Sequence, residues 1–394
     1  MIALVPEFPK PPMDNLIYLD YQASTPVDPR VRDAMLPWLS AQFGNPHATH
    51  YYGQQARKAV QQARAQVAAL LGAQENEIIF TSGATEANNL AIKGAIAFQN
   101  RHDGKKRHMI TVATEHKSVL ESVADFDVTI LPVQPDGLLD LQQLTSAIRD
   151  DTLLVSVMAV NNEIGVIQPL AEIGAICRAR GVYFHTDAAQ AFGKIPLNVE
   201  SMCIDLLSVS GHKAYAPAGI GALYVRRKPR TRLEPLFSGG GQERGLRSGT
   251  VATPLVVALG EAANVAAHDM PAESAHITKL RDYFLRQLEQ SGCSFIINGS
   301  MQKRYAGNLN LSFSDVDAST LLSRLPQLAC SSGSTCSSGT GASHVLRAIG
   351  CDTSAIRIGF GRFSTLTEAG RAANFLVNAL QKCTHISKIP MFFN

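Results

Sequence analysis

Leu206-Leu207-Ser208-Val209-Ser210-Gly211-His212-Lys213 is an apolar run that breaks at a glycine and delivers a lysine beside a hydroxyl and an imidazole. The run reads as a buried strand, and Gly211 as the turn that closes it. A lysine held at a strand end among small and polar neighbours can act as an amine nucleophile toward an aldehyde. Taken alone, the plainer reading of Lys213 is an ordinary surface residue. Two other segments of the same construction shift the balance.

Gly181-Val182-Tyr183-Phe184 runs into His185-Thr186-Asp187-Ala188-Ala189-Gln190. An acid at a strand end can sit under a pyridine nitrogen and keep it protonated, or it can simply cap the helix that follows. Ile78-Ile79-Phe80 runs into Thr81-Ser82-Gly83-Ala84-Thr85-Glu86-Ala87-Asn88-Asn89. A turn of small residues opening a helix offers unpaired N–H groups and a positive helix end to a phosphate. The plainer reading is a helix cap with Glu86 in the first turn. Together the three segments supply an amine, a pyridine partner and a phosphate cradle, which are the needs of pyridoxal 5'-phosphate (PLP). All three lie where strands end, the place ligands gather in open α/β sheets.

Between residues 78 and 226 short apolar runs alternate with amphipathic stretches. Met109-Ile110-Thr111-Val112 and Leu153-Leu154-Val155-Ser156-Val157 are such runs, and Ile173, Ile176 and Cys177 fall at helical spacing. This alternation predicts an α/β fold with a mainly parallel central sheet flanked by helices. From about Thr253 a long helical pattern begins, followed by a strand-like Asn308-Leu309-Asn310-Leu311-Ser312-Phe313, which predicts a smaller α+β domain. The expected division is a large domain over 16–265 and a small one built from 1–15 and 266–394.

At 45% hydrophobic and 18% charged residues the chain has the make-up of a globular protein. A net charge of +3 is too small to imply a nucleic-acid partner. One basic cluster, Arg226-Arg227-Lys228-Pro229-Arg230-Thr231-Arg232, reads as a solvated loop or as a docking patch for an acidic partner or RNA. No apolar run is long enough to span a membrane, the start lacks the pattern of a signal peptide, and a cytoplasmic location follows. The seven cysteines are odd in number and form no C-x-x-C, which argues against a disulfide framework or a closed zinc site. Cys177 and Cys203 read as core residues. His47-x-x-His50 has no nearby acid or cysteine to complete a metal site, and none is expected. Cys336 differs from the other cysteines. Its surroundings, Ser331-Ser332-Gly333-Ser334-Thr335-Cys336-Ser337-Ser338-Gly339, are almost free of apolar residues and read as an exposed loop, where a thiol is a liability unless it reacts.

From about Tyr18 to Phe363 the chain resembles the cysteine desulfurases of the NifS/IscS type, within the fold-type I PLP enzymes related to class V aminotransferases. The words that carry the resemblance include Tyr18-Leu19-Asp20-Tyr21, Gly44-Asn45-Pro46, the Thr81 to Glu86 segment and Thr114-Glu115-His116-Lys117. Val160-Asn161-Asn162-Glu163-Ile164-Gly165, the Asp187 and Lys213 segments, Gly239-Gly240-Gly241-Gln242-Glu243-Arg244-Gly245-Leu246-Arg247-Ser248-Gly249-Thr250, the Cys336 loop and Ile356-Arg357-Ile358-Gly359 complete them.

The resemblance implies that Lys213 carries PLP and moves the substrate's Cα proton, that His116 stacks on the cofactor ring and assists proton transfer, and that Cys336 takes sulfur from L-cysteine as a persulfide. It implies that Ala84, Thr85, Ser210 and His212 hold the phosphate, that Asn162 and Gln190 contact cofactor or substrate, and that Asp187 meets the pyridine nitrogen. Thr250 is expected to reach the phosphate of a partner subunit, making a homodimer. Asn45 and Arg357 are the candidates for the substrate carboxylate, with Arg362 as the alternative to Arg357; the planar guanidinium suits that role. Cys330 is expected to be structural. The stretch from Cys336 to Ser343 is one residue shorter than in familiar members, and the longer C-terminal tail that relatives use to dock an iron–sulfur scaffold is not expected here. A sulfur-acceptor protein is therefore expected, with its identity open among an iron–sulfur scaffold, a thiolation enzyme and a DNA-phosphorothioation system. Rival readings are a selenocysteine lyase of the same fold, an aminotransferase of that fold, which would not need Cys336, and a catalytically idle binding subunit.

Overall fold

The computed structural model describes residues 16–102, 104–314, 316–332 and 342–386. Among these residues the main sheet has seven strands in the order Ile78–Thr81, Gly221–Val225, Leu206–Ser210, Tyr183–Asp187, Thr152–Ser156, His108–Val112 and Val128–Leu131. The strand Gly221–Val225 runs antiparallel to both neighbours, while the remaining pairs are parallel. The parallel strands are apolar nearly throughout because helices cover both faces. Ile110, Val155, Phe184 and Val209 are all buried in one core on this sheet, and Ile79, Leu154, Leu206 and Leu223 in a second core on its other face.

The parallel orientation has a direct consequence for the site. Thr81, Val112, Ser156, Asp187 and Ser210 end their strands on the same edge of the sheet, so the loops after them converge. Glycines permit that convergence. A Cβ on Gly221 would lie 2.6 Å from the Cα of Gly83, so the cradle loop and the reversed strand touch backbone to backbone.

A third body of packing lies outside the sheet. Asn308–Ser312 pairs antiparallel with Ala355–Gly359 and with Ile296–Ile297. Its core joins Leu309, Leu311, Ile356 and Ile358 to Phe284 and Leu376 and, from the other end of the chain, to Ile17 and Leu19. Helix Thr253–Gln290 links the two regions. Val256, Leu259 and Ala263 pack on the main sheet, whereas Ile277, Leu280, Phe284 and Leu288 pack in this other core. Pro271 stands between the two sets, and residues 265 and 266 fall inside the same helix.

The basic cluster after Gly221–Val225 divides in two. Arg226 is 1% exposed; its guanidinium meets the Asp205 carboxylate at 3.2 Å and that of Glu200 at 2.9 Å, and donates to the carbonyls of Ile204 and Val199. It does not belong to a solvated patch, because the residue that ends a central strand is drawn inward by acids on the neighbouring loop. Arg227 and Arg230 are exposed. Cys203, expected in the core, is only partly buried and holds a left-handed backbone with φ 52°, whereas Cys177 is fully buried. Arg226→Ala leaves buried acceptors without a partner, and should lower unfolding stability by about 3–5 kcal/mol. Arg227→Ala should change it by no more than about 0.5 kcal/mol. Chemical denaturation of the two variants checks the contrast.

Candidate active site

The strand-end loops enclose a cavity of about 440 Å³ lined by Gly83, Ala84, Thr85, His116, Asp187 and Lys213 among others. Gly83 has open space where a Cβ would sit, and the helix Ala84–His102 starts immediately behind it. First-turn amides have no acceptor within their own helix, so the N–H groups here are available to an anion. Ser210 and His212 line the same wall, and the His212 ring lies 3.3 Å from the Ser24 hydroxyl. Burial, with Lys213 and Lys194 nearby, pushes the His212 pKa down to about 4, so this imidazole is neutral.

Asp187 ends its strand with a carboxylate only 4% exposed. One oxygen accepts from the Ala189 N–H at 2.9 Å and the other from the Asn88 amide at 2.7 Å. The first contact is the turn-capping role that its sequence position allows, and the second holds the carboxylate at the cavity wall. His116 caps the helix Lys117–Val123 through Nδ1. Burial, opposed by Asp187 and reinforced by Lys213 and His344, lowers its pKa. Lys213 follows the strand Leu206–Ser210 by one short helical turn. Gln190 donates to the carbonyl of Gln22 at 2.7 Å and accepts from Lys194 at 3.2 Å. Lys194 is buried, and burial lowers its pKa to about 7, yet it does not line the cavity.

The second region contributes Arg357 from the strand Ala355–Gly359. Its guanidinium is 2.7 Å from the Asp20 carboxylate and 2.9 Å from the carbonyl of Asn162, and both Arg357 and Asn162 line the cavity. Arg362 faces elsewhere. It pairs with Asp28 at 2.6 Å and Glu273 at 2.8 Å and lies over the Tyr215 ring at 4.1 Å. The structure therefore separates the two arginines that sequence position left as alternatives.

Two expected residues lie apart from this cavity. Asn45 and Thr250 are exposed and line none of its wall. Thr250 follows a segment that is tied down firmly: Glu243 accepts two bonds from Arg64 and one from the Phe80 N–H, and Arg247 pairs with Glu86 beside the cradle. Cys336 lies outside the described residues. Cys330 is largely buried, and burial pushes its thiol up to about 12, a poor state for a nucleophile.

The model of the aminotransferase class-V family matches residues 17–371. The chain belongs to that family. It is 51% identical over 393 residues to a protein named cysteine desulfurase IscS from Rickettsia rickettsii (strain Iowa), covering 96% of this chain and 95% of the relative. A solved structure titled NifS-like protein superposes with a TM-score of 0.86 at 34% identity, covering 93% of this chain and all of that one. One titled SspA in complex with cysteine does so with a TM-score of 0.78 at 39% identity, covering 89% and 100%.

For this family PLP is the implied cofactor, and the residues present fit it. A buried carboxylate, a lysine and the open first turn of a helix face one cavity of suitable size. Sequence reasoning missed several neighbours. Asn88 stood within a quoted segment, and its place one turn after Ala84 puts it on the same helix face. Glu115 is completely buried, with its pKa raised well above the carboxyl range by burial and by Asp187. Glu163 accepts from Ser343 at 2.5 Å, and His344 contacts the carbonyl of Glu115 at 2.9 Å. These contacts join distant segments, and no local pattern announces them.

The separation of the arginines yields a test. Arg357→Ala should raise KM for an amino-acid substrate at least about tenfold while the protein stays folded, since an arginine–carboxylate pair is strong and directional. Arg362→Ala breaks a buried ion network and should cost about 3–5 kcal/mol of stability. Steady-state kinetics and thermal unfolding of both variants distinguish the roles.

Proposed function

We propose that this chain is a cysteine desulfurase that converts L-cysteine to L-alanine and retains the sulfur as a persulfide on Cys336. The observation that carries this reading is the convergence on one cavity of Lys213, Asp187, His116 and the open helix turn behind Gly83, with Arg357 entering from the second region. The relatives named cysteine desulfurase support it, as does the solved neighbour whose title places it in complex with cysteine.

PLP, when bound, supplies an electron sink for charge developing at the substrate Cα. Residues Ala84, Thr85, Ser210 and His212 would hold its phosphate, Asp187 would face its ring nitrogen and Lys213 would supply the amine that carries it. Arg357, steadied by Asp20, receives the substrate carboxylate, and Asn162 and Gln190 line the space beside it. The Lys213 amine would take the proton from the substrate Cα at Nζ and return it to the carbon skeleton. His116 would lie over the cofactor ring. The Cys336 thiolate attacks the substrate Sγ. The Cβ–Sγ bond breaks, sulfur joins Cys336, and the three-carbon fragment takes up protons and leaves as alanine. A plain transaminase has no use for that thiol, and an idle binding subunit would need none of the titratable set.

A second copy of the chain completes this reading. Asn45 and Thr250 are exposed and stand away from their own cavity, and at the surface near Asn45 Phe43 stacks on Tyr52 while Tyr51 meets Tyr52 edge to face. Such an exposed aromatic group suits a partner surface. The persulfide then passes to an acceptor protein, and the exposed Arg227 and Arg230 offer charge to an acidic one.

Three measurements bear on the reading. Borohydride reduction of the yellow protein followed by peptide mapping should label Lys213; a label on Lys194 would overturn the assignment. Cys336→Ser should lose sulfide release from L-cysteine, by at least about a hundredfold for loss of a covalent nucleophile, whereas Cys330→Ser should keep it. Light scattering at micromolar concentration should give a dimer, and a fully active monomer would remove the role given to Thr250.

A further inference from the structure

Asn88, fully buried on the helix Ala84–His102, reaches two partners with one amide nitrogen. Nδ2 donates to the Asp187 carboxylate at 2.7 Å and to the Ser118 hydroxyl at 2.9 Å. The carboxylate fixes which way this amide points, because the reverse orientation would set a carbonyl oxygen against an anion. Asn88 Oδ1 is then buried with no hydrogen-bond partner among the described residues, an arrangement that costs free energy and is kept only where the rest of the network requires it. The Ser118 oxygen, already accepting from Asn88, lies 2.8 Å from Nδ1 of His116. The backbone N–H of Ser118 donates to the same Nδ1 at 3.1 Å. With that N–H aimed at it, Nδ1 must be an acceptor, and the hydroxyl hydrogen of Ser118 must point the same way.

We infer that Asn88 and Ser118 form a directed hydrogen-bond relay from Asp187 to His116 that fixes His116 as the neutral tautomer with its proton on Nε2. The two relay residues are positioning residues and act through His116. This rests on the proposed place of His116 over the cofactor ring and adds the direction in which it can work. An imidazole so held offers a proton or hydrogen bond from Nε2 into the site. It cannot take a proton at Nδ1 unless Ser118 turns its hydroxyl away and its backbone N–H faces a second N–H. The surroundings act in the same sense. Burial disfavours the imidazolium, as do Lys213, His344 and Lys117; Asp187 alone among the charged groups facing the ring favours it. Glu115, the preceding residue, has its carboxyl pKa raised well above the usual range. The two carboxyl groups beside His116 thus differ: the hydrogen bonds on Asp187 suit a carboxylate, and the burial of Glu115 suits the neutral acid.

The test uses PLP-loaded enzyme with 15N-labelled histidine, the His116 signals being assigned by their loss in His116→Gln. Long-range 1H–15N spectra from about pH 5 to about pH 8, the range in which histidine ordinarily titrates, should show an unprotonated Nδ1 and a protonated Nε2 in the neutral ring of the wild type, with its ionisation shifted below the ordinary histidine value. Ser118→Ala removes one donor. It leaves the backbone N–H on Nδ1, so Nε2 should keep its proton, while loss of the hydroxyl donor should raise the His116 ionisation by about half to one pH unit and move the acid limb of alanine formation upward by the same amount. Ser118→Thr, which restores the hydroxyl, should return both to wild type. A wild-type protein with the proton on Nδ1, or a folded Ser118→Ala whose His116 titration is unchanged, would overturn the relay. Failure to make alanine from cysteine would instead strike the desulfurase reading, and the spectra would still decide the tautomer.

Discussion

The hydrogen bond from Asn88 to Asp187 is the contact on which the rest of the site depends. A carboxylate 4% exposed at the end of a central strand is stable as an anion only when donors replace the water it has lost. Asn88 and the Ala189 N–H are those donors. Burial raises the carboxyl pKa of Glu115 well above its ordinary value, and the charge on Asp187 adds to that shift. The same amide that steadies Asp187 also commits Ser118 and, through it, His116. One side chain thereby couples Asp187 to His116.

The sheet sets the frame and the second region closes it. Parallel strands deliver amides, carboxylate and lysine to one edge, but no guanidinium. That group comes from Arg357, whose strand belongs to the other packing region, and its fixed position depends on Asp20 near the start of the described chain. Strand Ala355–Gly359 also bridges Asp20 through Gly359, so the same hydrogen bonding that registers the strand aims the guanidinium. Helix Thr253–Gln290, packed in both regions, keeps that register relative to the main sheet.

How much of this was legible in the sequence follows from the range of each interaction. The Lys213, Asp187 and Gly83 segments announce themselves because strand, turn and functional side chain are contiguous, and a parallel sheet aligns such segments without further information. The reversal of Gly221–Val225 was not legible: its composition is that of any buried strand, and the direction is set by the preceding turn. Arg226 misled for a related reason. It stands in a run of basic residues, but its acids, Asp205 and Glu200, come from the neighbouring loop and draw it inside. Arg357 and Arg362, five residues apart, could be ranked only by resemblance until Asp28 and Glu273 were seen to occupy the second.

The same reasoning bears on Cys336. Ser331 and Ser343 flank residues 333–341, and both are held at the cavity side of the molecule. Ser331 pairs with the backbone of Arg357, while Ser343 caps the helix His344–Ala348 and donates to Glu163, a residue of the cavity wall. His344, next in the chain, reaches the carbonyl of Glu115 beside His116. The chain therefore leaves from the residue that would hold the substrate carboxylate and returns to the residues that flank the ring. Both ends of the segment that carries Cys336, the nucleophile of the proposed function, are thus fixed beside the cavity wall. Sequence composition can supply the thiol, but those two fixed ends are made by Glu163, Glu115 and Arg357, residues distant in sequence from the segment itself.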